Sequence, residues 1–319
     1  MSVLVTGAES VIGEQLVRAL VADARVGHVI AASCARRPSP FTPTARLTPL
    51  QLNLASARQV HDLLFGMARD LRVEVVVHLA AHPRAHARGR SVRQVNVEAV
   101  RAILALSHRH PTIRRVVIKS YAEVYHVSSR LPVLVTEDHP LNLSPGAPQY
   151  IRDRVEADLT ACSRMGLANA EIAVLRCAET LAEGTGSQLY DYLSARFALR
   201  PAGFDPMINV ATVDDVVAAL ELATHRDGDG VYNIPGADTL PVSEALALWG
   251  TPTLPAPGLA IAPLYRARHL LSGADFSYGL NARRMHFGLV LSGDRARDEL
   301  GYVPSCPVRW PGAEGGRIG

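Results

Sequence analysis

Hydrophobic positions along the chain follow two periods. Residues 2 to 6 form a short apolar run ending in Gly7, after which Val11, Ile12, Leu16, Leu20 and Val21 recur at helical spacing, so a strand, a turn and a helix are expected. The unit repeats. "GHVIAAS" and "LTPLQLN" are expected as strands, "ARQVHDLLFGMARDL" as a helix, and "VEVVVHLAA" as a strand buried on both faces. "SVRQVNVEAVRAILALSHRH" has one apolar face and predicts a helix, followed by the strand "IRRVVIKS". A turn-rich segment covers 132 to 148, a helix is expected over 149 to 165, and "AEIAVLRC" closes this part as a strand. Strands alternating with helices predict an α/β fold with a parallel sheet covered on both faces.

Beyond residue 177 the pattern changes. Segments 178–208 and 236–319 have shorter periodic stretches and more Gly, Pro, Tyr and Arg, whereas "VATVDDVVAALELA" and "GVYNIPG", within 209–235, resemble a return to the main sheet. The expected organisation is a dinucleotide-binding domain over 1–177 plus 209–235. A smaller discontinuous part would cover the carboxyl ends of the strands, where open α/β sheets bind ligands. Within it, the stretch 251–273 suits a lid over a large flat ligand.

Charge and composition remove several classes. A formal net charge of +3 over 319 residues, with no dense basic block, disfavours nucleic acid. Lys119 is the only lysine. Cys34, Cys162, Cys177 and Cys306 are widely spaced, which fits neither a zinc site nor a disulfide framework. With no leader-like start and no apolar run of spanning length, neither secretion nor a membrane span is expected; the expected location is the cytoplasm.

The chemistry is expected at "VTGAESVIG". This glycine turn follows a buried strand and opens a helix, so free backbone N–H groups and the helix dipole would meet a pyrophosphate. Gly7, Ser10, Val11, Ile12 and Gly13 form it, Ser10 standing at the middle glycine position of G-x-x-G-x-x-G, small enough for close approach and able to add a hydroxyl donor.

Together with "VVVHLAA", Asn96 in "QVNVEAV", "VVIKSYAEVYH", "YIRDR", "TVDDVVAAL", "GVYNIPG" and "ELGYVPS", this turn resembles the extended short-chain dehydrogenases/reductases of the NAD-dependent epimerase/dehydratase type. The matches span nearly the whole chain. The resemblance implies a Rossmann-type doubly wound parallel sheet, with Leu79, Ala80, Ala81 and Asn96 along the cofactor and Asn53 and Leu54 near the adenine. It also implies a small-molecule substrate and a monomer or homodimer. An acidic residue normally holds the ribose of NAD about 20 positions past the turn, but Ser33 stands there and Arg36 and Arg37 follow. NADPH is therefore expected, with NADH as the alternative.

The family's triad is degenerate here. Tyr150 matches its tyrosine, Arg154 replaces the lysine four residues on, and Tyr121 stands where Ser or Thr orients the carbonyl. Arginine can grip a ribose or favour a phenolate but relays no proton. Ser120, one place earlier, is the other hydroxyl candidate, although strand alternation turns it to the opposite face from Tyr121. His78, His82 and His86 are four apart, but Pro83 interrupts any shared helix face, and no metal is expected.

Three readings follow. The first is an NAD(P)H-dependent ketoreductase, similar to the atypical actinobacterial reductases that tailor polycyclic aromatic polyketides, in which a substrate ketone hydrogen-bonded to its own phenol needs little help. The others are a nucleotide-sugar epimerase or dehydratase, and a non-catalytic NADP(H)-binding sensor.

Overall fold

The computed structural model describes residues 1–34 and 39–312. Five strands open the main sheet: β1 (Ser2–Thr6), β2 (His28–Cys34), β3 (Leu47–Leu52), β4 (Val73–His78) and β5 (Arg115–Tyr121). Strands Glu171–Cys177 and Gly230–Ile234 complete it in the order 230–234, 171–177, β5, β4, β1, β2, β3, every neighbouring pair parallel. The winding reverses between β1 and β4, which is where such sheets leave a crevice.

Alternation divides the strand side chains between two apolar layers. Val3, Val5, Val117 and Leu175 enter one core with the helices Val11–Ala22 and Val213–His225; Leu4, Val116, Ile118 and Val174 enter the other with Ala57–Leu63 and Ala99–Ser107. Burial on both faces explains why these strands read as continuous Val/Ile/Leu runs. Two expected helices are interrupted. Gly66 leaves helical geometry (φ −100°, ψ −106°) within 64–68, and the helix after β4 widens into a π-turn at Gln94–Glu98 that carries Asn96.

Among the described residues the remaining strands form three small sheets, and a third apolar cluster including Leu189, Tyr192, Leu246, Tyr265 and Trp310 gives this part its own core. Two boundaries differ from the sequence reading. Residues 209–211, expected with the dinucleotide-binding domain, instead belong to the strand Met207–Ala211, which pairs with Asp238–Pro241 and Glu179–Thr180 outside the main sheet. Ala296, Leu300 and Tyr302, expected in the smaller part, pack into the first core, where the Tyr302 hydroxyl donates to the Pro235 carbonyl at 2.6 Å. Among the described residues no helix is long and apolar enough to cross a membrane.

Candidate active site

The glycine turn is built by close backbone approach. Gly7 has φ +75°, and a Cβ there would lie 2.8 Å from the Ala80 nitrogen; a Cβ on Gly13 would lie 2.2 Å from the Gly7 carbonyl oxygen. Neither position accepts a side chain without moving main chain, so the turn stays open above the N-terminus of helix Val11–Ala22. Ser10 behaves differently from expectation. Its hydroxyl donates to the Gly7 carbonyl (2.8 Å) and accepts from the Gly13 N–H (3.0 Å), capping the helix instead of standing free as a donor to a phosphate. Val11 is exposed at the mouth and Ile12 anchors the turn in the core.

Ser33, near the end of β2, is 1% exposed and its hydroxyl has no partner among the described residues. Arg36 and Arg37 lie outside the described residues. Asn53 is exposed and its side-chain oxygen accepts from the Ala55 N–H at 3.0 Å, so it makes a local turn instead of presenting that oxygen to an adenine; Leu54 packs on the second core. After β4, Leu79 is buried, and the Asn96 side-chain oxygen accepts from the His82 N–H at 2.8 Å, bracing the loop that carries Ala80 and Ala81. Open turn, orphaned Ser33 hydroxyl and small residues after β4 together fit a dinucleotide.

Two cavities meet beyond this loop. The first is lined by His78, Ala80, Ala81, Asn96, Lys119, Tyr121 and Arg154 among others; the second shares Lys119, Tyr121 and Arg154 and adds Glu123, Glu179 and the loop 185–187. Tyr121 thus stands between them, and its hydroxyl makes no hydrogen bond among the described residues. The Lys119 ammonium sits 3.8 Å and the Arg154 guanidinium 3.5 Å from the centroid of its ring.

The other triad candidates are engaged elsewhere. Tyr150, 4% exposed, donates to the Gly186 carbonyl at 3.3 Å, and burial pushes its phenol well above the ordinary range. Arg154 stacks on the Tyr150 ring at 3.8 Å and donates from Nη1 to Glu123 Oε1 at 2.6 Å, both side chains almost fully buried. Burial alone would raise the Glu123 carboxyl, but Arg154, Arg284 and Lys119 outweigh it and hold it below its usual value. Ser120 lines the first cavity, but its hydroxyl is engaged. Its hydroxyl donates to Asp158 at 2.5 Å, within a buried network that also ties Asp158 to Arg176 at 2.6 Å, because strand alternation turns it away from Tyr121.

Glu123, Glu179 and Arg284 are site residues that pattern reading did not find. Glu123 belongs to the short turn directly after β5, two residues past Tyr121, and that proximity was its only sequence signal. Glu179 and Arg284 are 105 positions apart and meet at 2.9 Å. Glu179 also accepts from the Ser187 hydroxyl at 2.7 Å; burial, with Glu123 adding to it, raises its carboxyl above the usual range. A third hollow beyond Glu179 is lined mainly by Ala122, Ala178, Leu189, Ile208, Met285 and Leu291.

Comparison with known proteins agrees with this layout. The family model described as "NAD dependent epimerase/dehydratase family" matches residues 3–234. "Uncharacterized protein Rv0501" of Mycobacterium tuberculosis (strain H37Rv) is 30% identical over 311 residues, covering 95% of this chain and 80% of the relative. Among solved structures, MoeE5 in complex with UDP-glucuronic acid and NAD is similar with TM-score 0.70 and 24% identity, over 98% of this chain and 97% of that one. DesIV, a dTDP-glucose 4,6-dehydratase from Streptomyces venezuelae with NAD and TYD bound, is similar with TM-score 0.68 and 20% identity, over 96% and 93%. At these identities the two structures establish the fold. The family model and the relative go further: the chain belongs to the NAD-dependent epimerase/dehydratase family and is an NAD(P)-dependent enzyme.

Proposed function

We propose that the chain is an NADPH-dependent ketoreductase acting on a ketone of a polycyclic aromatic polyketide, of the angucyclinone kind. The observation that carries this reading is the hollow beyond Glu179. Its walls are mainly apolar and its lining cation, Arg284, is already neutralised by Glu179, which suits a flat hydrophobic ketone better than a free diphosphate. The glycine turn at Gly7 and Gly13 would receive the pyrophosphate, and the uncharged Ser33 leaves room for a ribose phosphate.

A reduced nicotinamide, when bound, supplies hydride to the carbonyl carbon. The chain's own contribution is positioning and one proton. Tyr121 faces both cavities with its hydroxyl unpartnered among the described residues, so it is the group that would donate to the substrate oxygen. Tyr150 is withdrawn onto Gly186, and Arg154 is held by Glu123, so neither continues the family's usual relay. A one-way reduction tolerates that loss, because orientation supplies much of the rate.

A second reading, a nucleotide-sugar epimerase or dehydratase, is favoured by one feature: Glu123 and Glu179 are buried neighbours shifted in opposite directions, which is how acid and base are separated in one site. Reduced-cofactor absorbance decides between the two. Incubation with NADPH and an angucyclinone ketone should consume NADPH stoichiometrically, whereas UDP- and dTDP-sugars should be recovered unchanged by chromatography. Conversion of a sugar nucleotide without net NADPH consumption would establish the second reading. Tight NADPH binding with no turnover in either assay would leave a redox sensor.

A further inference from the structure

We propose that Lys119, the chain's only lysine, is the cofactor-side cation that holds the ribose of the nicotinamide half, from a strand position instead of the helix position 154. This assignment rests on the NADPH-binding reading above. Lys119 is on β5, one strand beyond β4 and two beyond the glycine turn at the end of β1, so it stands on the side of the sheet toward which a dinucleotide laid across the turn would extend its second half. Its side chain lines the cavity containing Ala80, Ala81 and Asn96, as well as the one containing Glu123 and Glu179.

Charge pairing in the site leaves this ammonium over. Arg154 is bound to Glu123 and Arg284 to Glu179, whereas Lys119 makes no hydrogen bond or close ion pair among the described residues; it stacks on the Tyr121 ring and acts on Glu123 only at longer range. Half-burial removes part of its water, and the ring face satisfies none of its three N–H donors. An oxygen-rich ligand in the adjoining cavity would satisfy them. Arg154 cannot take this role with its Nη1 group, which Glu123 occupies.

The test uses binding, not turnover. Isothermal titration of the full chain with NADPH and with 2′-phospho-ADP-ribose, which lacks the nicotinamide ring, is compared with titration by 2′-phospho-ADP, which lacks the second ribose as well and should bind both chains alike, and by 2′-phospho-AMP, which also lacks the second phosphate of the bridge. Lys119→Met should weaken NADPH and 2′-phospho-ADP-ribose by about tenfold, the loss expected for a charged hydrogen bond, and leave 2′-phospho-ADP and 2′-phospho-AMP within about twofold. NADH, ADP-ribose, ADP and AMP are titrated in parallel. Equal affinity of the Met variant and the unsubstituted chain for NADPH overturns the assignment, as does equal weakening of NADPH, 2′-phospho-ADP-ribose and 2′-phospho-ADP. If the unsubstituted chain binds neither NADPH nor NADH, the cofactor reading itself falls.

A second measurement needs no variant. Reductive methylation with carbon-13 formaldehyde labels only Lys119 and the chain N-terminus, since no other lysine exists. 2′-Phospho-ADP-ribose should move the Lys119 methyl resonance, and 2′-phospho-ADP and 2′-phospho-AMP should not. An unmoved resonance with the former overturns the assignment even where Lys119→Met fails to fold.

Discussion

Replacing Arg154 with methionine should destabilise the chain more than its single ion pair suggests. The Arg154 and Glu123 side chains are 6% and 5% exposed and 2.6 Å apart, so removing the guanidinium strands a buried carboxylate, at about 3–5 kcal/mol. Arg284 and Lys119 still act on Glu123 and moderate that loss. Lost stacking on Tyr121 and Tyr150 adds about 1 kcal/mol. Glu123→Gln alone should destabilise by about 2–3 kcal/mol, because Arg154 keeps an acceptor but loses its counter-charge. The double variant should lose only about 1–2 kcal/mol, since no unpaired charge remains, which makes the coupling about 3 kcal/mol or more. Urea unfolding with unchanged slope measures all three.

The pH dependence supplies an independent check. In the unsubstituted chain Glu123 is held below its unfolded value, so its contribution is present above that value and fades as pH falls through the folded one. In Arg154→Met the sign reverses, because the stranded carboxyl binds its proton more readily folded than unfolded. The variant's deficit should therefore shrink as pH is lowered from neutral toward the carboxylate range. Additive single losses, or a deficit that ignores pH, would refute the pairing argument.

Other expectations concern separate sites. Gly13→Ala forces a Cβ 2.2 Å from the Gly7 carbonyl oxygen and should abolish NADPH binding in a fluorescence titration, with a stability loss of about 2 kcal/mol or more. Ser10→Ala removes the helix cap and should lower stability by about 1 kcal/mol in urea unfolding. Burial, with Asp275 and Glu179 adding to it, raises Asp191 to about 6. The folded chain thus keeps a proton there that the unfolded chain has released, and stability falls as pH rises from about 4 to 6. Asp191→Asn should raise the melting temperature at neutral pH, with a gain of about 1–3 kcal/mol that vanishes in acid. Tyr121→Phe should slow NADPH oxidation by about tenfold or more with NADPH affinity retained, whereas Tyr150→Phe should change the rate less than tenfold.

The sequence by itself determined the seven main strands, the helices between them and the open turn at Gly7 and Gly13. These depend on near neighbours: a period of two or 3.6, and a glycine where a Cβ would collide. Even the turning of Ser120 away from Tyr121 followed from alternation. Only the tertiary structure decided which polar groups remain available. Arg154 could have faced a ribose, but Glu123, 31 positions earlier, holds it; Glu179 became a site residue only by meeting Arg284 and Ser187. The strand Met207–Ala211 likewise lies outside the main sheet because its partners, Asp238–Pro241 and Glu179–Thr180, lie elsewhere in the chain. Such pairings join residues whose separation carries no periodic signal, and their strength comes from burial and from removal of competing water, which exist only once the layers have packed.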